Sequence, residues 1–217
     1  MKIASVGLAV PVLLIALVPA LAACSGDDGP QTASDPATGD NRPPRPTEVP
    51  AAPGKVSSRY LPTVMDTGTP ELCLGAIAES YPPQCGGPEI TNWDWSKQQG
   101  VFDQQGDIRW GTFAVTGTWD GTAFTVTESI PGPLYDPMPQ EPPVLPEPSR
   151  AYEQAELDEI AQELGSSLPG AQGGYADQEG HVLIDVLYDD GTIQDYADAE
   201  YGADVVVVIG GLVDVTG

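Results

Sequence analysis

Eight prolines (Pro131, Pro133, Pro137, Pro139, Pro142, Pro143, Pro146 and Pro148) stand within eighteen consecutive residues of this 217-residue chain. Proline fixes its own φ, donates no backbone hydrogen bond and pushes the preceding residue into extended conformations, so neither a helix nor a central strand can run through them. Segment 131–148 therefore reads as a semi-rigid, polyproline-like spacer. A docking motif for an aromatic groove is the competing reading, but a spacer between two small folded regions already accounts for the composition. The chain is expected to build its cores on either side.

At the amino terminus Lys2 precedes an apolar stretch over residues 3–23, interrupted only by Ser5, Gly7, Pro11 and Pro19. This is the pattern of a signal peptide, residues 1–23. The stretch is about long enough for a retained membrane span, but a mid-stretch proline and a small-residue end suit a processed segment better. Leu21-Ala22-Ala23-Cys24 resembles the lipobox of bacterial lipoprotein precursors. The resemblance implies a diacylglycerol on Cys24, cleavage before it, and anchoring to a lipid bilayer on the extracytoplasmic face. Several acyl chains, at about 0.8 kcal/mol per buried methylene, make such anchoring effectively permanent.

With Cys24 so used, Cys73 and Cys85 remain as a pair, and an exported compartment keeps such a pair oxidised. Closing a loop of this size stabilises a fold by about 3 kcal/mol in the chain-entropy model. A metal site or a reactive thiol would need neighbours that are missing: there is no Cys-x-x-Cys, and the single histidine, His181, is distant in sequence. After Cys24 the composition turns to Asp, Gly, Pro, Ser, Thr and Ala, with too little apolar surface to fold. Residues 24–55 are expected to be a lipidated, disordered tether reaching roughly 30 Å.

Residues 56–130 carry strand signals. Two runs of β-branched and aromatic residues flank Asp120-Gly121, with Phe113 and Val115 alternating with Ala114 and Thr116, and Phe124 and Val126 with Thr125 and Thr127. That is a hairpin with one apolar and one hydroxylated face. Residues 72–77 and 90–95 read as further strands, and the expected disulfide joins the first to the turn at residues 81–88. A small, stapled, barrel-like β domain follows. Leu72-Cys73-Leu74 and Glu79-Ser80-Tyr81-Pro82-Pro83-Gln84-Cys85-Gly86-Gly87-Pro88 resemble a segment of exported actinobacterial proteins of uncharacterised function. The resemblance implies an OB-like barrel and brings no activity with it.

OB-like barrels often bind single-stranded nucleic acid through basic grooves and stacking aromatics. Trp93, Trp95, Trp110 and Trp119 are the candidates for such a platform. Removing the signal leaves seven basic and thirty-two acidic side chains, a net charge of −25, which repels phosphate backbones. The tryptophans then read as core residues or, alternatively, as a carbohydrate or peptide platform.

Residues 149–217 read as an acidic α+β domain. Ser149 is placed to cap a helix whose apolar stripe is Leu157, Ile160, Ala161 and Leu164, with Gly165 ending it. Residues 174–177 and 181–188 form a hairpin around Gln178-Glu179-Gly180; a short helix over 195–200 closes at Tyr201-Gly202. The run Val205-Val206-Val207-Val208-Ile209 reads as a buried, central strand. The fold class is thus α+β: a disulfide-stapled, barrel-like β domain followed by a small α+β layer.

Residues 151–217 hold fifteen carboxylates and no lysine or arginine. A solvated acidic surface explains this. Weak calcium binding at Asp189, Asp190 and Asp195 is the sharper alternative, although the acids do not alternate as an EF-hand loop requires and Ala197 stands where its closing glutamate would be. No other cofactor is expected. Catalysis has little to work with: His181 opens a strand, and there is no Gly-x-Ser-x-Gly elbow, phosphate loop, dinucleotide glycine pattern or zinc-ligand spacing. Two carboxylates at glycosidase separation would suffice for that chemistry, but two regions of about seventy residues suggest no large cleft. The expected function is a non-catalytic, membrane-anchored interaction module for an envelope protein or wall component; the alternative is a small-ligand or calcium-binding lipoprotein.

Overall fold

The computed structural model describes residues 42–136 and 144–215. The apolar amino terminus, Cys24 and the centre of the proline-rich segment lie outside the described residues. Residues 41–217 form one compact unit. Its elements run β1 (Lys55–Ser58), β2 (Thr63–Asp66), β3 (Pro70–Cys73), β4 (Asp103–Gln105), β5 (Ile108–Trp119), β6 (Phe124–Pro131), α1 (Gln154–Ser167), β7 (Ala171–Ala176), β8 (Val182–Val186), α2 (Thr192–Tyr201), β9 (Val206–Gly210) and β10 (Leu212–Asp214). Among the described residues, no helix is long and apolar enough to cross a membrane. The class is α+β, mostly strand.

β5 organises the first layer. Its first half pairs with β2 on one side and β4 on the other, and its second half with β1 and β6. One twisted strand thus serves two groups of neighbours, and the seven-stranded antiparallel sheet curls into a half-barrel. The expected alternation is realised: Phe113, Val115 and Trp119 of β5 and Phe124 of β6 are buried in one core. Gly121, at φ 96°, makes the turn between them, while the Asp120 carboxylate accepts from the backbone N–H groups of Thr122 and Ala123. Cys73 and Cys85 are disulfide-bonded, with Cα atoms 5.9 Å apart.

Residues 90–95 do not form the expected strand. Ile90 makes only an isolated bridge to Phe124, and a 3-10 helix, Trp95–Gln98, begins where the Asp94 carboxylate accepts from the N–H and hydroxyl of Ser96. The cap outcompetes the sheet ladder, as short acidic side chains often do.

In the second layer α1 and α2 cover one face of a three-stranded sheet ordered β7-β8-β9. α1 starts later than Ser149 suggests, at a capping box in which Glu153 and Glu156 each bond the other's backbone N–H. It also runs through Gly165 rather than ending there. A Cβ at that position would lie 2.8 Å from the backbone nitrogen of Gly174 on β7. The glycine is required by the close approach of helix to strand and costs about 1 kcal/mol of helix propensity. The valine-rich run forms β9, an edge strand and not the central one, because β8 takes the middle by pairing antiparallel with β7 and parallel with β9.

The two layers are not separate bodies on a spacer. β10 leaves the second layer and pairs antiparallel with β1, adding a strand to the half-barrel. Leu212 and Tyr188 are both 1% exposed in the half-barrel core. The Tyr188 hydroxyl donates to Asp214 at 3.0 Å; burial, and then this bond, push its pKa up to about 12. Nor are all of residues 24–55 a free tether. Arg42 pairs with Glu200 at 2.6 Å, Arg45 with Glu163 at 2.8 Å, and the Pro50 carbonyl accepts from the Trp119 indole at 2.9 Å. Composition missed this strap because its partners are distant in sequence: the arginines reach helices that have no basic residue of their own, and Val49 and Ala52 pack against the half-barrel core.

The pairing of β10 with β1 predicts that unfolding is one cooperative event. Leu164→Ala, in the α1 core, is expected to cost about 2–5 kcal/mol. All four tryptophans lie in the half-barrel, so urea titration followed by their fluorescence should register that loss. An unchanged fluorescence midpoint would show that the layers unfold separately.

Candidate functional site

The second sheet has an uncovered face. Even-numbered residues of β8, Val182, Ile184 and Val186, are buried under the helices. Residues opposite one another in register share a face, so Tyr175, Leu183 and Val207 lie together on the other side, beside Asp185 and Ile209. Tyr175 is 57% exposed, and Leu183, Val207 and Ile209 are half-buried. A groove of about 200 Å³ opens there, with Asp185 and Ile209 on its sheet side and Tyr60, Leu74 and Ala76 from half-barrel loops opposite. Tyr60 is 67% exposed. Arg59 is bonded to the Gly210 carbonyl at 2.8 Å. Partial burial raises the Asp185 pKa, against the pull of Arg59.

The sequence signal for this surface is the unbroken apolar run of β9. Such a run suits a strand buried on both faces, whereas here one face is covered by helix and the other borders the groove. The outer edge of β9 is closed differently. The Gln194 side chain donates to the Val206 carbonyl and accepts from the Val208 N–H, at 2.8 and 2.9 Å. Its carboxamide replaces a neighbouring strand and blocks edge pairing. Asn92 does the same for Val126 on β6.

The proposed tryptophan platform is not assembled. Trp95, Trp110 and Trp119 are buried, and their rings serve packing. Trp95 donates to the buried Asp66 carboxylate at 2.7 Å, and Trp110 meets Tyr81 edge-on. Trp93 is half-buried against Phe113 and Trp95 and lines a separate cavity of about 150 Å³ with Asn92, Lys97 and Glu128. Among the described residues its indole N–H has no hydrogen-bond partner.

The calcium candidates are also otherwise engaged. Asp189 accepts from the N–H groups of Ile193 and Gln194, and Asp190 from the N–H and hydroxyl of Thr192. These carboxylates satisfy the free donors at the start of α2, while Asp195 faces the Pro43–Glu48 part of the strap across a cavity. They do not converge on one point.

The residues that do converge are Asp177, Glu179 and His181, whose ligand atoms lie within 4.8 Å of one another. Sequence reading passed over them because the burial of His181 against the Pro146 carbonyl is a non-local contact; the alternating Asp-x-Glu-x-His, on a turn the sequence does show, was the available signal. His181 is 3% exposed. Its Nε2 lies 2.9 Å from the Pro146 carbonyl, and its Nδ1 2.9 Å from Asp177 Oδ2. Burial by itself would lower the histidine pKa, but the Pro146 and Asp177 bonds outweigh it and raise it. Asp177 is held below the usual carboxylate range: burial opposes ionisation, and bonds from the His181 and Glu179 N–H groups and the imidazole overcome it. The staple ties the end of the proline-rich segment to the second layer.

A raised folded pKa means that the staple contributes fully below the unfolded histidine value, about 6.5, and fades as pH rises through the folded value. The melting-temperature advantage of wild type over His181→Asn should therefore be larger at pH 6 than at pH 9. A constant gap would show that the imidazole is neutral. No family model matches the chain, no curated protein is significantly similar to it, and no solved structure matches it.

Proposed function

We propose that this protein is a lipid-anchored, extracytoplasmic interaction module that acts without catalysis, held to the membrane through Cys24 and binding its partner at the uncovered face of β7, β8 and β9. The observation that carries the reading is the apolar groove at Tyr60, Leu74 and Ile209. Half-exposed aliphatic and aromatic residues grouped on one face are what protein-binding surfaces use. The partner that fits is a polypeptide of the envelope with apolar side chains and positive charge. Asp185 lies in the groove and the mature chain is at −25, so a cationic surface is drawn in while anionic polymers are repelled.

The finer likeness of the half-barrel to an OB-like fold belongs to the same proposal. Its support is the long β5 shared between two groups of strands. With an actinobacterial origin, suggested by the segment around Cys73 and Cys85, the location is the outer face of the cytoplasmic membrane.

Crosslinking and affinity capture from intact cells test the reading with three variants. Cys24→Ala should leave the membrane fraction and lose the captured partner. Val207→Asp and Tyr60→Ala should stay anchored, with melting temperatures close to wild type, yet lose the same partner. Retention of Cys24→Ala in the membrane would overturn the lipid anchor, and equal capture by Val207→Asp would overturn the groove.

A further inference from the structure

We propose that Asp177, Glu179 and His181 form a binding site for a divalent transition-metal ion of the zinc class. The argument begins with the Pro146 carbonyl, which can only accept. The His181 Nε2 at 2.9 Å must therefore donate, and Nδ1 is turned toward the carboxylates. A metal-binding imidazole is characteristically oriented in this way, its far nitrogen donating to a backbone carbonyl. Nδ1 and Asp177 Oδ2, 2.9 Å apart, are both lone-pair donors when the imidazole is neutral, so a cation must sit between them. A proton meets that need, and so does a metal ion.

The carboxylate is held for the purpose. Asp177 Oδ1 accepts from the backbone N–H groups of Glu179 and His181, each at 2.8 Å, which leaves Oδ2 facing the imidazole. Glu179 is exposed at the turn and supplies the third ligand, a second carboxylate oxygen. Of the three residues, Glu179 lines a cavity of about 240 Å³, together with Glu147, Pro148, Arg150, Tyr152 and Gly180. One imidazole with two carboxylates suits zinc, copper or nickel; calcium and magnesium take oxygen ligands and gain nothing from the nitrogen. The ion would close the β7–β8 turn and, through the Pro146 bond, fasten the end of the proline-rich segment.

The chain contains one histidine, which makes the test clean. Full-length lipidated protein in detergent, prepared without a polyhistidine tag, is titrated with Zn²⁺ while the imidazole nitrogens are followed by NMR. Cu²⁺ is added in parallel, and its EPR spectrum should show a single coordinated nitrogen. Zn²⁺ should shift the imidazole signals at one equivalent, and Ca²⁺ should not. Glu179→Gln should weaken Zn²⁺ binding about tenfold or more. Imidazole signals that stay put in saturating Zn²⁺ would overturn the site, even if the melting temperature rises through ions on the acidic surface. Equal affinity in Glu179→Gln would overturn the three-ligand assignment.

Discussion

The pairing of β10 with β1 is the contact on which the rest of the molecule depends. Three residues at the end of the chain, Leu212–Asp214, add a strand to a sheet whose other members all precede the proline-rich segment. With them come the buried side chains of Leu212 and Tyr188, which complete the half-barrel core. Non-local closure of this kind costs loop entropy before it returns any burial. In return, both layers are stabilised by a shared core. The proline-rich segment then joins parts of one body.

Polar side chains manage what this arrangement leaves open. β6 and β9 lie at sheet edges with backbone groups that would otherwise recruit a foreign strand, and the carboxamides of Asn92 and Gln194 occupy them. The helices carry an excess of carboxylates, part of which meets Arg42 and Arg45 of the strap. Exposed pairs of this kind are worth about 0–1 kcal/mol each, so they direct the strap across the helices more than they hold it. With these edges closed, the uncovered face of the second sheet remains as the apolar surface available to a partner.

Much of the architecture was legible in local pattern. The hairpin around Asp120-Gly121, the stripe from Leu157 to Leu164, the turn at Gln178-Glu179-Gly180 and the pairing of Cys73 with Cys85 each rest on short-range periodicity, turn chemistry or the count of cysteines. Where local reading departed from the structure, a longer-range competitor had won. Gly165 looked like a helix stop and is instead a contact point with β7. Ser149 looked like a cap and was displaced by the reciprocal bonds of Glu153 and Glu156. The carboxylates at 189 and 190 looked available to an ion and are occupied by the donors of α2.

By itself the sequence determined the hairpin around Asp120-Gly121, the two helical segments, the β7–β8 hairpin, the valine-rich strand, the disulfide partners and the acidic character, because these rest on periodicity, turn chemistry, cysteine count and charge. Only the tertiary structure decided that residues after the proline-rich segment complete the sheet before it. It alone left one face of β9 uncovered and set His181, with the carboxylates of its own turn, against the Pro146 carbonyl. Those outcomes depend on which distant surfaces bury one another, and no local pattern records that choice.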